Sequence, residues 1–321
     1  MSWLVTGGAG YIGAHVVDAF RAADLPCVVL DNLSSGVEAF VPDDVPFVRA
    51  DLLDGDAVGA ALREHAVTGV VHLAGFKYAG VSVQRPLHTY TQNVTATVTL
   101  LREMGAAGVD RLVFSSSAAV YGTPPSDVVT EGTPTAPESP YGESKLVGEW
   151  LLRDAARAGG LRGTSLRYFN VVGSGRPELY DASPHNLFPL VLTALAEGRT
   201  PRVYGTDYPT PDGTCVRDYV HVADLARSHV AAARRLAADE PVEAVYNLGS
   251  GDGVSVREIM AAVARVTGVD FTPEEAPRRP GDPARIVARG DLAARDLDWA
   301  MRHTLDDMVA GAWAAQQRLA G

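Results

Sequence analysis

The chain has 321 residues, 46% hydrophobic and 21% charged, a balance that excludes disordered, collagenous and membrane-embedded classes and, at about 150 residues per domain, allows two domains. Its 28 basic and 39 acidic side chains give a formal charge of -11, so the molecule as a whole repels nucleic acid, while a few local arginines can still hold a small anion. No apolar run approaches the ~20 residues that span a bilayer, the first strand-like segment starts too close to Met1 for a signal peptide, and the lone, widely separated Cys27 and Cys215 suggest no disulfide framework, so a cytoplasmic protein without a membrane partner is expected.

In chain order, short β-branched runs alternate with stretches of helical apolar spacing. A strand over residues 3–6 meets Gly7, Gly10 and Gly13 and then a helix over 12–22, which places glycines where backbone must approach a pyrophosphate and the sheet. The next strand, 27–31, ends on Asp31, whose carboxylate accepts hydrogen bonds from the adenosine ribose hydroxyls and repels a phosphate there. With no arginine over 31–35, NAD is favoured over NADP. Behind a strand over 47–50, Asp51 is either an adenine contact or the cap of a helix over 57–65. A strand over 70–74 and a helix over 86–107 follow.

The strand over 112–116 runs into Ser115-Ser116-Ser117, and the helix over 140–158 opens with Pro140-Tyr141-Gly142-Glu143-Ser144-Lys145. Tyr141 and Lys145 share a helix face because they are four positions apart. An ammonium together with a positive nicotinamide favours the phenolate and brings the tyrosine down from its unperturbed pKa of ~10, so Tyr141 can serve as a base. Ser117 then bonds the same substrate hydroxyl, with Ser115 and Ser116 as turn hydroxyls and Lys145 also reaching the nicotinamide ribose. A strand over 165–168 completes an α/β fold, a Rossmann-type doubly wound parallel sheet.

Beyond Asn170 the pattern changes to loops over 173–184 and Gly/Pro interruptions around 209–213 and 273–283, read as a smaller mixed α/β substrate-binding lobe. A strand over 245–248 and a helix from Val256 predict interleaving. The dinucleotide domain is expected over 1–170 with returns around 214–250, and the substrate domain over 171–321, with a closing helix over 305–319.

The opening turn, Asp31-Asn32-Leu33, residues 74–77, Asn93-Val94, residues 115–122 and 139–145, Tyr168-Phe169-Asn170, Asn186-Leu187 and residues 213–222 together resemble the extended short-chain dehydrogenase/reductase family over nearly the whole length, and within it the UDP-sugar 4-epimerase branch. That resemblance implies NAD-dependent interconversion of UDP-glucose and UDP-galactose through a transient 4-keto sugar. It implies proton chemistry by Tyr141 and Ser117 and cofactor contacts by Tyr11, Ile12, Asp31, Asn32, Asp51, Leu52, Lys77, Asn93 and Lys145. It further implies substrate contacts by Asn170, Asn186, Leu187, Tyr204 and Asp282, a diphosphate grip by Arg217 and Arg279, and a homodimer. Ile286 falls at the position that gates sugar size; isoleucine is intermediate there, which favours plain hexoses and leaves acetylated and pentose sugars open. Val81, Ala119 and His185 depart from the family's pattern.

Against a dehydratase or a decarboxylating sugar enzyme, Ala118 and Ala119 stand where acidic partners are needed. A net NAD-dependent dehydrogenase or reductase stays open, since the same Tyr-Lys pair serves it. A non-catalytic NAD-sensing protein has no use for Ser117, Tyr141 and Lys145 together. The histidines form no H-E-x-x-H pair, and there is no G-x-S-x-G elbow or Walker A lysine, so no metal site is expected.

Overall fold

The computed structural model describes residues 2–279 and 282–320; Pro280 and Gly281, within the arginine motif at 278–282, lie outside it. The apolar runs of the first half become seven parallel strands: β1 Ser2–Thr6, β2 Cys27–Asp31, β3 Phe47–Arg49, β4 Val67–His72, β5 Arg111–Ser117, β6 Arg162–Tyr168 and β7 Val245–Leu248. They lie in the order β7-β6-β5-β4-β1-β2-β3. Successive side chains point to opposite faces, and both faces are covered, so these strands are continuously apolar. Leu4, Val28, Leu30, Val70 and Leu112 pack on one side under the helices Gly55–Glu64 and Ala96–Ala107. Trp3, Val5, Val29, Val71 and Val113 pack on the other under Tyr11–Ala22 and Val222–Ala237. This is a Rossmann-type α/β fold. Strand order reverses between β1 and β4, which leaves a crevice at the carboxyl ends of the strands where such sheets bind ligands.

Two elements differ from the sequence reading. Residues 73 and 74 are apolar enough to continue β4, but the strand ends at His72. There the Ala74 N–H turns to Thr6 Oγ1 at 3.4 Å and the backbone packs on Gly7. The helix expected over 86–107 is broken by a π-helical turn, Thr91–Thr95, between Pro86–Tyr90 and Ala96–Ala107. Asn93 sits in this turn, and such turns recur at functional sites.

The remaining chain builds short sheets. Asn170–Val172 pairs with Tyr219–His221, and Arg202–Tyr204 with Glu274–Ala276. Val254–Ser255, Val216–Arg217, Arg285–Ala288 and Val128–Val129 form a mixed four-stranded sheet. Phe188, Leu192, Val203, Tyr219, Ile259 and Met308 lie in the apolar cluster of this part. The two parts interlock: Val128–Val129 comes from the first half of the chain, whereas Val222–Ala237 and β7 return to the large sheet.

Two buried polar assemblies hold the site-forming ends of these elements. Asp218 accepts from Ser250 N (2.6 Å), Ser250 Oγ (2.8 Å), Gly251 N (3.1 Å) and Ala288 N (3.0 Å), so one carboxylate ties the loop after β7 to two strands of the small sheets. Glu149, on the Pro140–Arg157 helix, accepts from Ser116 Oγ (2.5 Å), Arg167 Nε (2.8 Å) and Arg167 Nη2 (2.6 Å). Arg167 also donates to Tyr121 Oη at 2.9 Å. The Arg167 and Glu149 side chains are only 6% and 7% exposed, so neither charge has water as an alternative partner. Glu149→Ala is therefore expected to cost on the order of 3 to 5 kcal/mol in urea unfolding, with much of it recovered when Arg167→Met is added. A loss below about 1 kcal/mol, the worth of an exposed pair, would contradict the assignment.

Candidate active site

Gly7 follows β1 with φ +73°, and a Cβ there would stand 2.7 Å from Ala74 N. A Cβ on Gly13 would stand 2.1 Å from Gly7 O. Only glycine fits either place. Gly10 is the N-cap of the Tyr11–Ala22 helix, no side chain caps it, and its first turn carries no acid. The helix thus presents amide N–H groups and its positive end without a competing carboxylate.

At the end of β2, Asp31 Oδ2 accepts from Ala9 N at 3.1 Å and Oδ1 from Leu33 N at 2.8 Å. Burial raises its carboxyl above the usual range, partly offset by these two N–H groups. Each oxygen keeps a lone pair for a hydroxyl. Asn32 Nδ2 donates to Asp51 Oδ2 at 2.8 Å, and Asp51 Oδ1 accepts from Leu53 N at 2.9 Å. The glycine cradle, the uncapped helix and a carboxylate with spare lone pairs fit a dinucleotide. Two further expected contact residues are packed into the protein. Leu52 is buried in the apolar core. Asn93 accepts from Phe76 N at 2.6 Å and donates to Phe76 O (3.0 Å) and Ser144 Oγ (2.8 Å), locking the 74–77 loop to the Pro140–Arg157 helix.

The Pro140–Arg157 helix is capped by Ser139, whose Oγ accepts from Gly142 N at 3.2 Å. A Cβ on Gly142 would stand 2.6 Å from Ala119 O, which sets how closely the helix approaches β5's end. Tyr141 and Ser117 line a cavity of about 380 Å³. Lys145, buried behind them, donates from Nζ to Ser115 O at 2.9 Å and lies 5.9 Å from the Tyr141 ring centroid. Burial lowers the Lys145 pKa to about 8. Burial raises the Tyr141 phenol above its ordinary value, and the Ser117 hydroxyl beside it pulls it back only in part. In the protein by itself, burial outweighs the lowering expected from the Tyr141-Lys145 pair. The serine triplet divides: Ser115 bonds His229, Ser116 bonds Glu149, and Ser117 lines the cavity.

The same cavity is lined by Tyr11, Ile12, Lys77, Asn170, Asn186, Leu187, Tyr204, Arg217, Arg279 and Asp282. Tyr11 Oη donates to Gly173 O at 2.6 Å, joining the glycine turn's helix to the second half of the chain. Asn170 is fixed by Nδ2 donating to Asp218 O at 2.8 Å, and Asn186 Nδ2 donates to Asp181 Oδ2 at 2.8 Å. Lys77 Nζ lies 3.8 Å from Asp181 Oδ1. The Arg279 guanidinium covers the Tyr204 ring at 4.2 Å and has no ion-pair partner among the described residues. Arg217, 14% exposed, meets Asp282 only at 3.4 Å. The Leu187–Ala196 helix begins at this cavity with no side-chain cap and no acid in its first turn.

Ile286 is not brought to the cavity. It is buried with Val120, Tyr121, Val129, Leu146 and Phe169, and of these Phe169 is the one that lines the cavity. Tyr78, Tyr168, His185 and Arg202 line it as well, without having been singled out as contacts in the sequence. Tyr168 had a signal, since it ends β6 directly opposite Ser117 in the register. His185, a departure from the family's pattern in sequence, packs edge-on against Tyr78 at 5.0 Å.

Residues 3–249 match the NAD dependent epimerase/dehydratase family. UDP-glucose 4-epimerase of Streptomyces lividans is 45% identical over 97% of this chain and 94% of its own length. The same-named protein of Azospirillum brasilense is 43% identical over 98% and 92%. Among solved structures, UDP-glucose-4-epimerase from Stenotrophomonas maltophila with bound NAD and formylated UDP-arabinopyranose superposes with a TM-score of 0.95 at 39% identity, covering 99% of this chain and 98% of that one.

The depressed Lys145 pKa has a sign that can be checked without any ligand. Below pH 8 the lysine is charged in both folded and unfolded chains and its burial cost is complete. Between pH 8 and 10.5 the unfolded chain binds the proton and the folded one does not, so this group's contribution to stability rises with pH. In cofactor-free protein, Lys145→Met is expected to be at least as stable as the parent at pH 7, with the advantage shrinking from pH 8 upward. A clear loss of stability at pH 7 would show that the ammonium is compensated.

Proposed function

Since the chain belongs to the NAD dependent epimerase/dehydratase family, we propose that its cavity holds the sugar of a UDP-sugar against Tyr141 and Ser117, with Arg217 and Arg279 on the diphosphate. The protein is an NAD-dependent UDP-glucose 4-epimerase that interconverts UDP-glucose and UDP-galactose. The observation that carries the residue assignment is the single cavity shared by the Tyr141-Ser117 pair and the two arginines.

The glycine turn and the uncapped Tyr11–Ala22 helix would hold the pyrophosphate of NAD, Asp31 the adenosine ribose, and Lys145 the nicotinamide ribose. When bound, NAD supplies a reversible two-electron sink that turns the sugar's 4-hydroxyl carbon into a transient ketone and back. Tyr141 takes the 4-hydroxyl proton and later returns it, and Ser117 accepts or donates at the same oxygen. Lys145 keeps a positive charge behind the phenol. Planar, permanently charged guanidiniums suit phosphate oxygens, and Tyr204 under Arg279 offers an aromatic face for the base. The hexose end meets neutral side chains such as Asn170, so the ring can turn over while the nucleotide stays fixed.

We also infer a plain-hexose preference, a cytoplasmic location and a homodimer. Exposed Val83, Leu87 and Trp150 on neighbouring helices support the last. Among the described residues no helix is long and apolar enough to cross a membrane.

Incubating the purified protein with UDP-galactose without added NAD is expected to yield UDP-glucose. Tyr141→Phe is expected to lower kcat by about 10²-fold to 10⁴-fold, the usual worth of a positioned acid-base group, while UDP binding by calorimetry is retained. Turnover equal to the parent's would sink the proposal.

A further inference from the structure

Behind Ser115 lies a histidine that the mechanism leaves unused. His229, on the Val222–Ala237 helix, is 0% exposed, as is Ser115. Its Nδ1 stands 3.0 Å from Leu225 O, one turn earlier in the same helix. A carbonyl can only accept, so Nδ1 carries the hydrogen. Burial drops the imidazole pKa to about 4, with no carboxylate among the groups that shift it, so the ring is neutral at physiological pH and Nε2 is a bare lone pair. Nε2 lies 3.0 Å from Ser115 Oγ, and the serine must therefore be the donor.

That direction has two consequences. The Ser115 hydroxyl hydrogen is thereby spent on His229, and the His229 ring itself lies 6.4 Å from the ring of Tyr168, which lines the cavity with Tyr141. The Ser115 main-chain oxygen holds Lys145 Nζ. A single serine thus faces His229 with its side chain and Lys145 with its backbone.

We propose that His229 is a positioning residue for the epimerase reaction, fixing Ser115, whose carbonyl tethers Lys145, and packing against the ring of Tyr168. The role rests on the proposed use of Tyr141 as the acid-base group. Around the phenol stand the buried Lys145 and the part-buried Tyr168 and Ser117; His229 reaches the first through Ser115 and meets the second directly.

The test compares pH profiles of kcat for UDP-galactose in the parent, His229→Leu, His229→Gln and Ser115→Ala, with Tyr141→Phe alongside. His229→Leu removes the acceptor and is expected to lower kcat about ten-fold or more, since small misplacements near the reacting atoms are costly. KM should hold within about two-fold, and the profile should move by about one pH unit. Glutamine, whose carbonyl reaches the place of Nε2, is expected to restore most of the rate and the parent profile. Ser115→Ala breaks the chain without disturbing the helix, so it should reproduce the shift even where His229→Leu fails to fold. Profiles that overlay the parent's in both His229→Leu and Ser115→Ala, or in Ser115→Ala alone if the former does not fold, would overturn the positioning role. An active Tyr141→Phe would instead overturn the functional reading beneath it.

Discussion

A lysine ammonium buried at the carboxyl end of β5, with one main-chain carbonyl as its hydrogen-bond partner, is the constraint around which the rest of the site is arranged. Left alone, such a charge loses its proton readily, and its pKa has already fallen to about 8. It keeps two donor hydrogens that nothing among the described residues satisfies. Those are the groups a ribose can use, and the ammonium by itself does not bring the phenol one turn away below its ordinary value. Burial alone leaves the Tyr141 phenol above its ordinary value, so the proposed acid-base role needs positive charge from a bound ligand to lower it.

Electrostatics divide the cavity in the same spirit. A chain of formal charge -11 repels anions at long range, yet Arg217 and Arg279 line the cavity with little internal competition, one 3.4 Å from its nearest acid and the other covering a tyrosine, as the proposed diphosphate grip requires. Two helix N-termini without caps or acids add to this. The attraction is short-ranged. In the proposed reading, uncharged groups such as Asn170 and Ser117 face the sugar, and that contrast would let the nucleotide stay while the sugar turns.

The large sheet was legible because buried parallel strands are written as continuous apolar runs, and the Tyr141 and Lys145 pairing because four residues make about one helical turn. What escaped had no local signature. Residues 73 and 74 look like strand, and only the close approach of Gly7 peels them away. The π-turn inside 86–107 carries no residue signature of its own, so Asn93's engagement with the 74–77 loop is invisible in sequence. Strands as short as Val216–Arg217 and Val254–Ser255 cannot show a period of two. Glu149 reads as an ordinary helix-surface charge until Arg167, from a strand 18 residues later, closes on it. Ile286 shows the converse: its place in a family pattern named a role at the sugar, whereas its side chain packs behind Phe169.

Ionisation of one phenol decides the account. Absorbance at the phenolate band, followed with pH for the NAD-loaded parent and for NAD-loaded Tyr141→Phe, isolates that group by difference. A phenol that titrates well below its ordinary value of ~10 in the difference is what the account requires. A difference showing no phenolate below pH 10 would mean that Tyr141 keeps its proton in the working enzyme, and some other group would have to be the base.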